Sequence, residues 1–251
     1  MKQASVRFYA ELNDFLVPSS RMQTLTYSFD VGGSVKDMIE SLGVPHTEVD
    51  LILVNGEPVN FTYRVQDADK ISVYPRFHSL EISPAAHLQA QPSGELRFAA
   101  DGNLGRLAGY LRMLGFDTLY RSDYRDDELA QVSADEGRIL LTRDRGVLMR
   151  SIVSRGYCVR ETDPHRQLIE ILQSFNLIPS IFPFRRCIHC NALLQPAEKR
   201  SVSDRLLPQT KQHYDEFYIC PQCKRIYWKG SHYRHMLRFI DNIVDRVRSL
   251  E

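Results

Sequence analysis

No run of apolar residues in this 251-residue chain approaches the ~18 that span a bilayer. The start, Met1-Lys2-Gln3-Ala4-Ser5-Val6-Arg7, has no apolar stretch of the signal-peptide kind. The expected location is therefore cytoplasmic, with no membrane partner. An excess of one charge is also missing: 32 Lys and Arg nearly balance 31 Asp and Glu. The net charge of +1 gives no global attraction to a polyanion, so any nucleic-acid affinity must come from local patches. There is no internal repeat and no low-complexity tract. Cysteines number only five, and in a reducing compartment they argue for metal or catalysis rather than disulfides. What is there is ordinary for a globular chain, 43% hydrophobic and 25% charged. The length suffices for two domains, or for one with appendages.

Residues 1–78 read as a small β-rich domain. Val6-Arg7-Phe8-Tyr9 and Leu25-Thr26-Tyr27-Ser28-Phe29 alternate apolar and polar, as half-buried strands do. Ser34 followed by Asp37 makes a capping-box start for a helix over 35–42 that stops at Gly43. Leu51-Ile52-Leu53-Val54 runs into the tight-turn pair Asn55-Gly56, and Ile71 to Tyr74 closes the unit. Strand, strand, helix, strand, strand predicts an α+β β-grasp. With Phe8-Tyr9-Ala10-Glu11-Leu12, Val54-Asn55-Gly56 and Asp69 to Pro75, it resembles the ubiquitin-like sulfur carriers of thiamine and molybdopterin synthesis. Those carriers end in Gly-Gly, whereas this chain continues through Pro75-Arg76-Phe77. A docking or stabilising module, with a protein partner as one role, is expected instead. Residues 79–94, with Pro84, Pro92 and Gly94, have linker composition.

From Leu96 to about residue 182, short apolar runs alternate with helical patterns, which predicts an α/β parallel-sheet domain. Strands are expected at 96–100, 116–120, 139–142 and 157–160. Leu104, Leu107, Ala108, Leu111 and Leu114 form one helix face. Carboxylates punctuate these elements. Asp101 and Asp144 follow strands, Asp126 and Asp127 head a helix, and Asp163 precedes Pro164. Ligands of such sheets bind beyond the carboxyl ends of the strands. Asp101, Asp126 or Asp127, and Asp163 also suit helix N-caps. Asp144 has no clear helix beginning at once behind it. Acids brought together repel unless a cation neutralises them, and hard oxygen ligands suit Mg²⁺ or Mn²⁺. Thr142 is placed to bond a ligand carboxylate or an attacking water. Arg106, Arg112, Arg143 and Arg145 are candidates for phosphate contact, or for a solvated face.

At these residues the chain resembles the PIN-like ribonuclease domain first described at the C-terminus of the Mut-seven exonuclease. The matching text is Phe98-Ala99-Ala100-Asp101, Leu104-Gly105-Arg106-Leu107-Ala108, Leu111 to Asp117, Asp127-Glu128-Leu129 and Arg138 to Asp144. The resemblance implies a β-grasp domain in front and a zinc ribbon behind. It also implies Asp101 and Asp144 as metal ligands, with Asp127 or its neighbour Asp126 as the third. Asp163 is the candidate for a fourth acid, with its cap role as the alternative. Related toxin-like sequences carry an aspartate two residues after the Thr-Arg-Asp motif. Here that position is Gly146, which bears on the completeness of a second metal position.

The last region, 183–251, holds Cys187-Ile188-His189-Cys190 and Cys220-Pro221-Gln222-Cys223. Two such knuckles supply four thiolates for a tetrahedral structural Zn²⁺ with no open position. The 29 residues between Cys190 and Cys220 exceed usual ribbon spacing, so an extended hairpin or loop is expected over 193–214. Lys224 and Arg225, followed by Tyr227, Trp228, Lys229, His232, Tyr233 and Arg234, suit phosphate contact and base stacking. Tyr227 and Trp228 equally suit packing of the ribbon. Leu237, Ile240, Val244 and Val247 mark a final amphipathic helix, and Cys158 reads as buried and apolar. The whole predicts a metal-dependent ribonuclease acting on RNA. The alternative is a non-catalytic RNA- or protein-binding adaptor that works through the ribbon.

Overall fold

The computed structural model of the chain describes residues 1–76, 88 and 95–250. The expected linker at 79–94 lies outside the described residues, apart from Leu88 and at its margin Glu95. Two compact units are formed, Met1–Glu95 with Tyr124–Cys158, and Leu96–Asp123 with Val159–Glu251.

The first unit contains the β-grasp. Strands β1 (Lys2–Phe8) and β2 (Thr24–Phe29) pair antiparallel. Helix α1 (Val35–Ser41) follows, then β3 (Val49–Val54), the short β4 (Glu57–Pro58) and β5 (Lys70–Pro75). The sheet order is β2-β1-β5-β3-β4, with β5 parallel to β1. Period-2 patterning explains the core: Ala4, Val6 and Phe8 of β1 are buried, as are Val35, Met38 and Ile39 of α1, Ile52 of β3 and Val73 of β5. The capping box is real. Ser34 Oγ accepts from Asp37 N at 3.1 Å, and Asp37 Oδ2 accepts from Ser34 N at 3.3 Å. Asn55 and Gly56 turn with φ of 54° and 93°, the left-handed pair that a two-residue hairpin needs. Buried Asp69 secures that turn by accepting from Gln66 N, Tyr63 Oη and Asn55 Nδ2.

The same unit includes α3 (Asp126–Asp135), β8 (Ile139–Thr142), α4 (Arg145–Leu148) and β9 (Gly156–Cys158). Strands β8 and β9 run parallel, Leu140 opposite Gly156 and Thr142 opposite Cys158. The β-grasp holds this segment at three places. Arg145 donates from Nη1 to Phe15 O at 2.8 Å and from Nη2 to Asp14 O at 3.3 Å, with its guanidinium 5.0 Å from the Phe15 ring centre. His46 Nε2 meets Val153 O at 2.9 Å while Nδ1 faces Glu40 at 2.6 Å. Glu48 accepts from Cys158 N. These contacts join the β-grasp to the later segment within the first unit.

In the second unit, β6 (Arg97–Ala100) and β7 (Asp117–Tyr120) are parallel and joined by α2 (Gly105–Met113). Helix α5 (Pro164–Ser174) packs on α2. Phe98 meets Phe116 and Phe175 edge-on, filling the space beneath the helices. Between the cysteine knuckles lie β10 (Gln195–Ala197), α6 (Lys199–Val202) and α7 (Pro208–His213), before β11 (Phe217–Ile219) and β12 (Ile226–Trp228). The three strands form an antiparallel sheet in the order β10-β11-β12. The expected hairpin or loop is therefore corrected to two short helices. Val202 of α6 and Thr210 of α7 are buried. The final helix, α8 (Ser231–Arg248), packs on α5. Its buried residues are Ile240, Ile243 and Val247, so the stripe runs through Ile243, and Val244 sits at its margin.

Two outcomes are expected of the β-grasp contacts. Arg145→Ala removes two hydrogen bonds and the ring contact, lowering unfolding free energy by about 1–2 kcal/mol in chemical denaturation. Burial first, and then the Lys36 ammonium, hold the His46 pKa below its ordinary value against the pull of Glu40. A depressed folded-state pKa gives stability that is complete above the unfolded value near ~6.5 and is lost as pH falls through the folded value. Stability should fall across that window in the wild type, and His46→Gln should flatten that part of the curve.

Candidate functional site

Asp101 ends β6 and sits at the N-cap position of the 3₁₀ turn Gly102–Leu104. Its side chain accepts no bond from that turn. The turn is shaped by close approach: Tyr120 Oη donates to Gly102 O at 3.1 Å, and a Cβ on Gly105 would stand 2.5 Å from that same hydroxyl. Glycine at 105 thus lets β7 hold the loop behind Asp101. The cap alternative for Asp101 is not what its carboxylate does.

Asp144 differs from expectation in the other direction. A helix does begin at once, α4, and Asp144 is its N-cap, with Oδ1 accepting from Gly146 N at 2.7 Å. Four residues are too few to show periodicity in the sequence. The side chain remains exposed. Thr142 is fully buried, and its Oγ1 accepts from Asp144 N at 3.0 Å. It therefore fixes the Asp144 backbone.

Asp126 and Asp127 occupy the first turn of α3, both exposed, and Arg125 N donates to Glu128 in the same turn. Arg125 Nη2 pairs with Asp127 Oδ2 at 3.0 Å, whereas Asp126 has no side-chain partner among the described residues. Asp163 caps α5, and its Oδ1 accepts from His165 N and Arg166 N. The Arg166 amide, the larger effect, and the His165 amide lower its pKa.

Of the arginines, Arg106 and Arg143 are exposed, with no side-chain partner among the described residues. Arg145 is bound to the β-grasp, as above. Arg112 is 4% exposed, so the expectation of a phosphate contact is corrected. Its Nε donates to Thr118 O at 2.8 Å, and its Nη1 to Ile188 O at 3.2 Å and His189 O at 2.8 Å. It ties β7 to the first cysteine knuckle.

The four thiols of Cys187, Cys190, Cys220 and Cys223 lie within 4.8 Å of one another. The sulfur pairs Cys187–Cys223 at 3.5 Å and Cys190–Cys220 at 3.3 Å approach the edge of about 3.8 Å that a tetrahedron of about 2.3 Å Zn–S bonds has. The two knuckles share one design. Cys187 O accepts from Asn191 N and Cys220 O from Lys224 N, with Asn191 and Lys224 both left-handed at φ 73° and 60°. Without a cation the thiols conflict. Burial raises Cys187, but bonds led by the Tyr227 hydroxyl at 3.0 Å outweigh it and leave the pKa at about 7. Cys190 is pushed up to about 12, by burial first and then by the other thiols, net of an opposing backbone bond. Four thiolates together require a cation, and the set fits a structural zinc.

Two residues at this junction were missed in the sequence. Buried Asn191 accepts from Thr118 N and donates to Asp117 Oδ1, and Arg186 pairs with Asp117 at 3.2 Å. An asparagine directly behind a CxxC is the available signal, since Asn tolerates the left-handed turn. Gly115, at φ +100°, is required too, because a Cβ there would lie 2.1 Å from Phe182 O. Arg112→Lys keeps the charge and loses the fork. It is expected to cost about 2–4 kcal/mol in denaturant unfolding, with zinc content measured alongside and retained.

Against known proteins, the family model described as Mut7-C RNAse domain matches residues 96–240. That described as Mut7-C ubiquitin matches residues 1–81. Among solved structures, H. volcanii small archaeal modifier protein 1 is 17% identical, covering 31% of this chain and 100% of that one at a TM-score of 0.25. SAMP1 from Haloferax volcanii is 17% identical, covering 31% and 98% at 0.25. Comparison with the curated proteins finds no match. With more than half of its length in the first match, the chain belongs to the Mut7-C RNase domain family, with the Mut7-C ubiquitin-like domain in front.

Proposed function

We propose that the protein is a metal-dependent ribonuclease that hydrolyses RNA phosphodiester bonds, with Asp101, Asp144 and one of Asp126 and Asp127 supplying oxygen ligands for Mg²⁺ or Mn²⁺. The observation that carries this reading is the position of Asp101 and Asp144, each directly beyond the carboxyl end of a parallel strand. The donor set fits a hard cation: all are carboxylates, and Asp144 is exposed and caps its helix through Oδ1. Asp127 is the third ligand if Arg125 releases it, and Asp126 if not. Asp163 remains the candidate for a fourth acid, with Oδ1 engaged as a cap and Oδ2 outside those two bonds.

When bound, such an ion lowers the pKa of water and stabilises charge on the leaving oxygen. The chain's own residues do the rest. Thr142 anchors the Asp144 backbone, Arg145 fastens the following turn to the β-grasp, and exposed Arg106 and Arg143 are available to phosphates. The family matches support RNA as the substrate class and protein contact as the role of the ubiquitin-like part. No helix among the described residues is long and apolar enough to cross a membrane.

The cap bond of Asp144 favours a second reading, an adaptor without catalysis that binds RNA or protein through the ribbon. Single-stranded RNA incubated with purified protein and Mn²⁺ separates the two. Asp144→Asn, which keeps the cap acceptor, should lower the cleavage rate by about 10²-fold or more with unchanged circular dichroism. Equal cleavage by the two proteins, or none by wild type, removes the nuclease reading.

A further inference from the structure

A cavity of about 440 Å³ opens between the segment before the first knuckle, the ribbon strands and the start of α8, all in the second unit. That is the size of a ligand cleft. Six aromatic rings line it: Phe182, Phe184, Tyr218, Tyr227, Trp228 and Tyr233. Some are spent on structure. Tyr227 bonds Cys187, and Phe184 packs on Tyr233 with ring centres 4.5 Å apart. Others are not. Phe182 is 66% exposed and Tyr218 36%, an unfavourable state for rings with nothing over them. The charged side chains of the lining are Arg185, Arg186 and Lys229, all cationic. Arg186 reaches Asp117 and Asn191 O with its outer nitrogens, yet its buried Nε has no hydrogen-bond partner. Lys229 is held by Glu216 at 2.7 Å in an exposed pair, which a phosphate can replace at little cost. Exposed Lys224 and Arg225 stand on the adjoining second knuckle.

We infer that this trough is a binding site for single-stranded RNA, with bases stacked on Phe182, Tyr218 and Trp228 and phosphates along Lys229 and the adjoining exposed Lys224 and Arg225. Flat apolar faces interleaved with cations, and no acid in the lining, match a polymer that alternates flat bases with anionic links. A duplex is excluded by the same chemistry, because its base faces are already stacked. The inference rests on the reading of RNA as substrate. It adds where the strand is gripped: on the zinc-bearing part, away from the residues assigned to the metal ligands in sequence and in element.

Trp228 is the one tryptophan of the chain, so its fluorescence reports on this trough alone. Full-length, zinc-loaded Asp144→Asn protein without added Mg²⁺ or Mn²⁺ is titrated with an oligouridylate of about ten nucleotides. Tryptophan emission and the anisotropy of a label on the RNA are both followed. Saturable quenching that tracks anisotropy is expected. Phe182→Ala and Tyr218→Ala, both at exposed rings, should each weaken binding by about tenfold. Lys229→Glu should weaken it and flatten its salt dependence. Wild-type protein without divalent ions should repeat the result if Asp144→Asn folds poorly. Binding seen by anisotropy with unchanged emission and unchanged affinity in the ring variants overturns the proposal. So does quenching by an acidic peptide but not by RNA, which would assign the trough to a protein partner. Quenching by RNA in a wild type that cleaves nothing keeps the trough and removes only the nuclease; cleavage without quenching does the reverse.

Discussion

A guanidinium taken out of water is stable only when its donors find acceptors, and Arg112 meets that condition by binding two parts of the second unit together. Burial lowers its pKa, and the neighbouring Cys190 and Cys187 work against that shift. The carbonyls it holds belong to β7 and to the first knuckle, so the ribbon is fixed to the strand beside Asp101's own strand. Asn191, Arg186 and Gly115 serve the same junction. A structural zinc would gather the four thiols and fix the knuckle whose carbonyls Arg112 holds. The aromatic trough exists because this junction sets the ribbon strands beside α8.

Arg145 does for the first unit what Arg112 does for the second. It lies directly after Asp144, and its bonds to Phe15 and Asp14 hold the start of α4 against the β-grasp. Together with His46 and Glu48, this makes the β-grasp a support for the stretch that carries Asp144 and β9. A carrier needs a free tail, whereas a support needs a rigid flank, and the residues at Phe15, His46 and Glu48 provide the latter.

Elements with strong local rules were readable in the sequence. Ser34 with Asp37, Asn55-Gly56, the buried alternation of β1 and the pair of CxxC knuckles each have one dominant local solution, and the structure adopts it. Features decided by tertiary contact were not readable. Arginine is the plainest case. Near acids in sequence, Arg112 and Arg145 suit phosphate contact, yet one is buried among carbonyls and the other lies on Phe15. Helix α4 is too short for periodicity, so the Asp144 cap was hidden. The two helices between the knuckles, where Val202 and Thr210 are buried, are announced by no local pattern. On α8, neighbouring Ile243 and Val244 both suit the stripe, and the partner surface selected Ile243.

The proposed function rests on carboxylates that stand beyond the ends of parallel strands. Asp163 caps α5 through Oδ1, which accepts from two amides. Asp101 takes no such role in its own turn, and Asp144 caps through a single oxygen. The most direct measurement is manganese(II) binding, followed by electron paramagnetic resonance on zinc-loaded protein. Wild type should remove the signal of free manganese, and Asp101→Asn or Asp144→Asn should bind at least about tenfold more weakly with zinc content unchanged. Equal manganese binding by all three proteins would contradict the account.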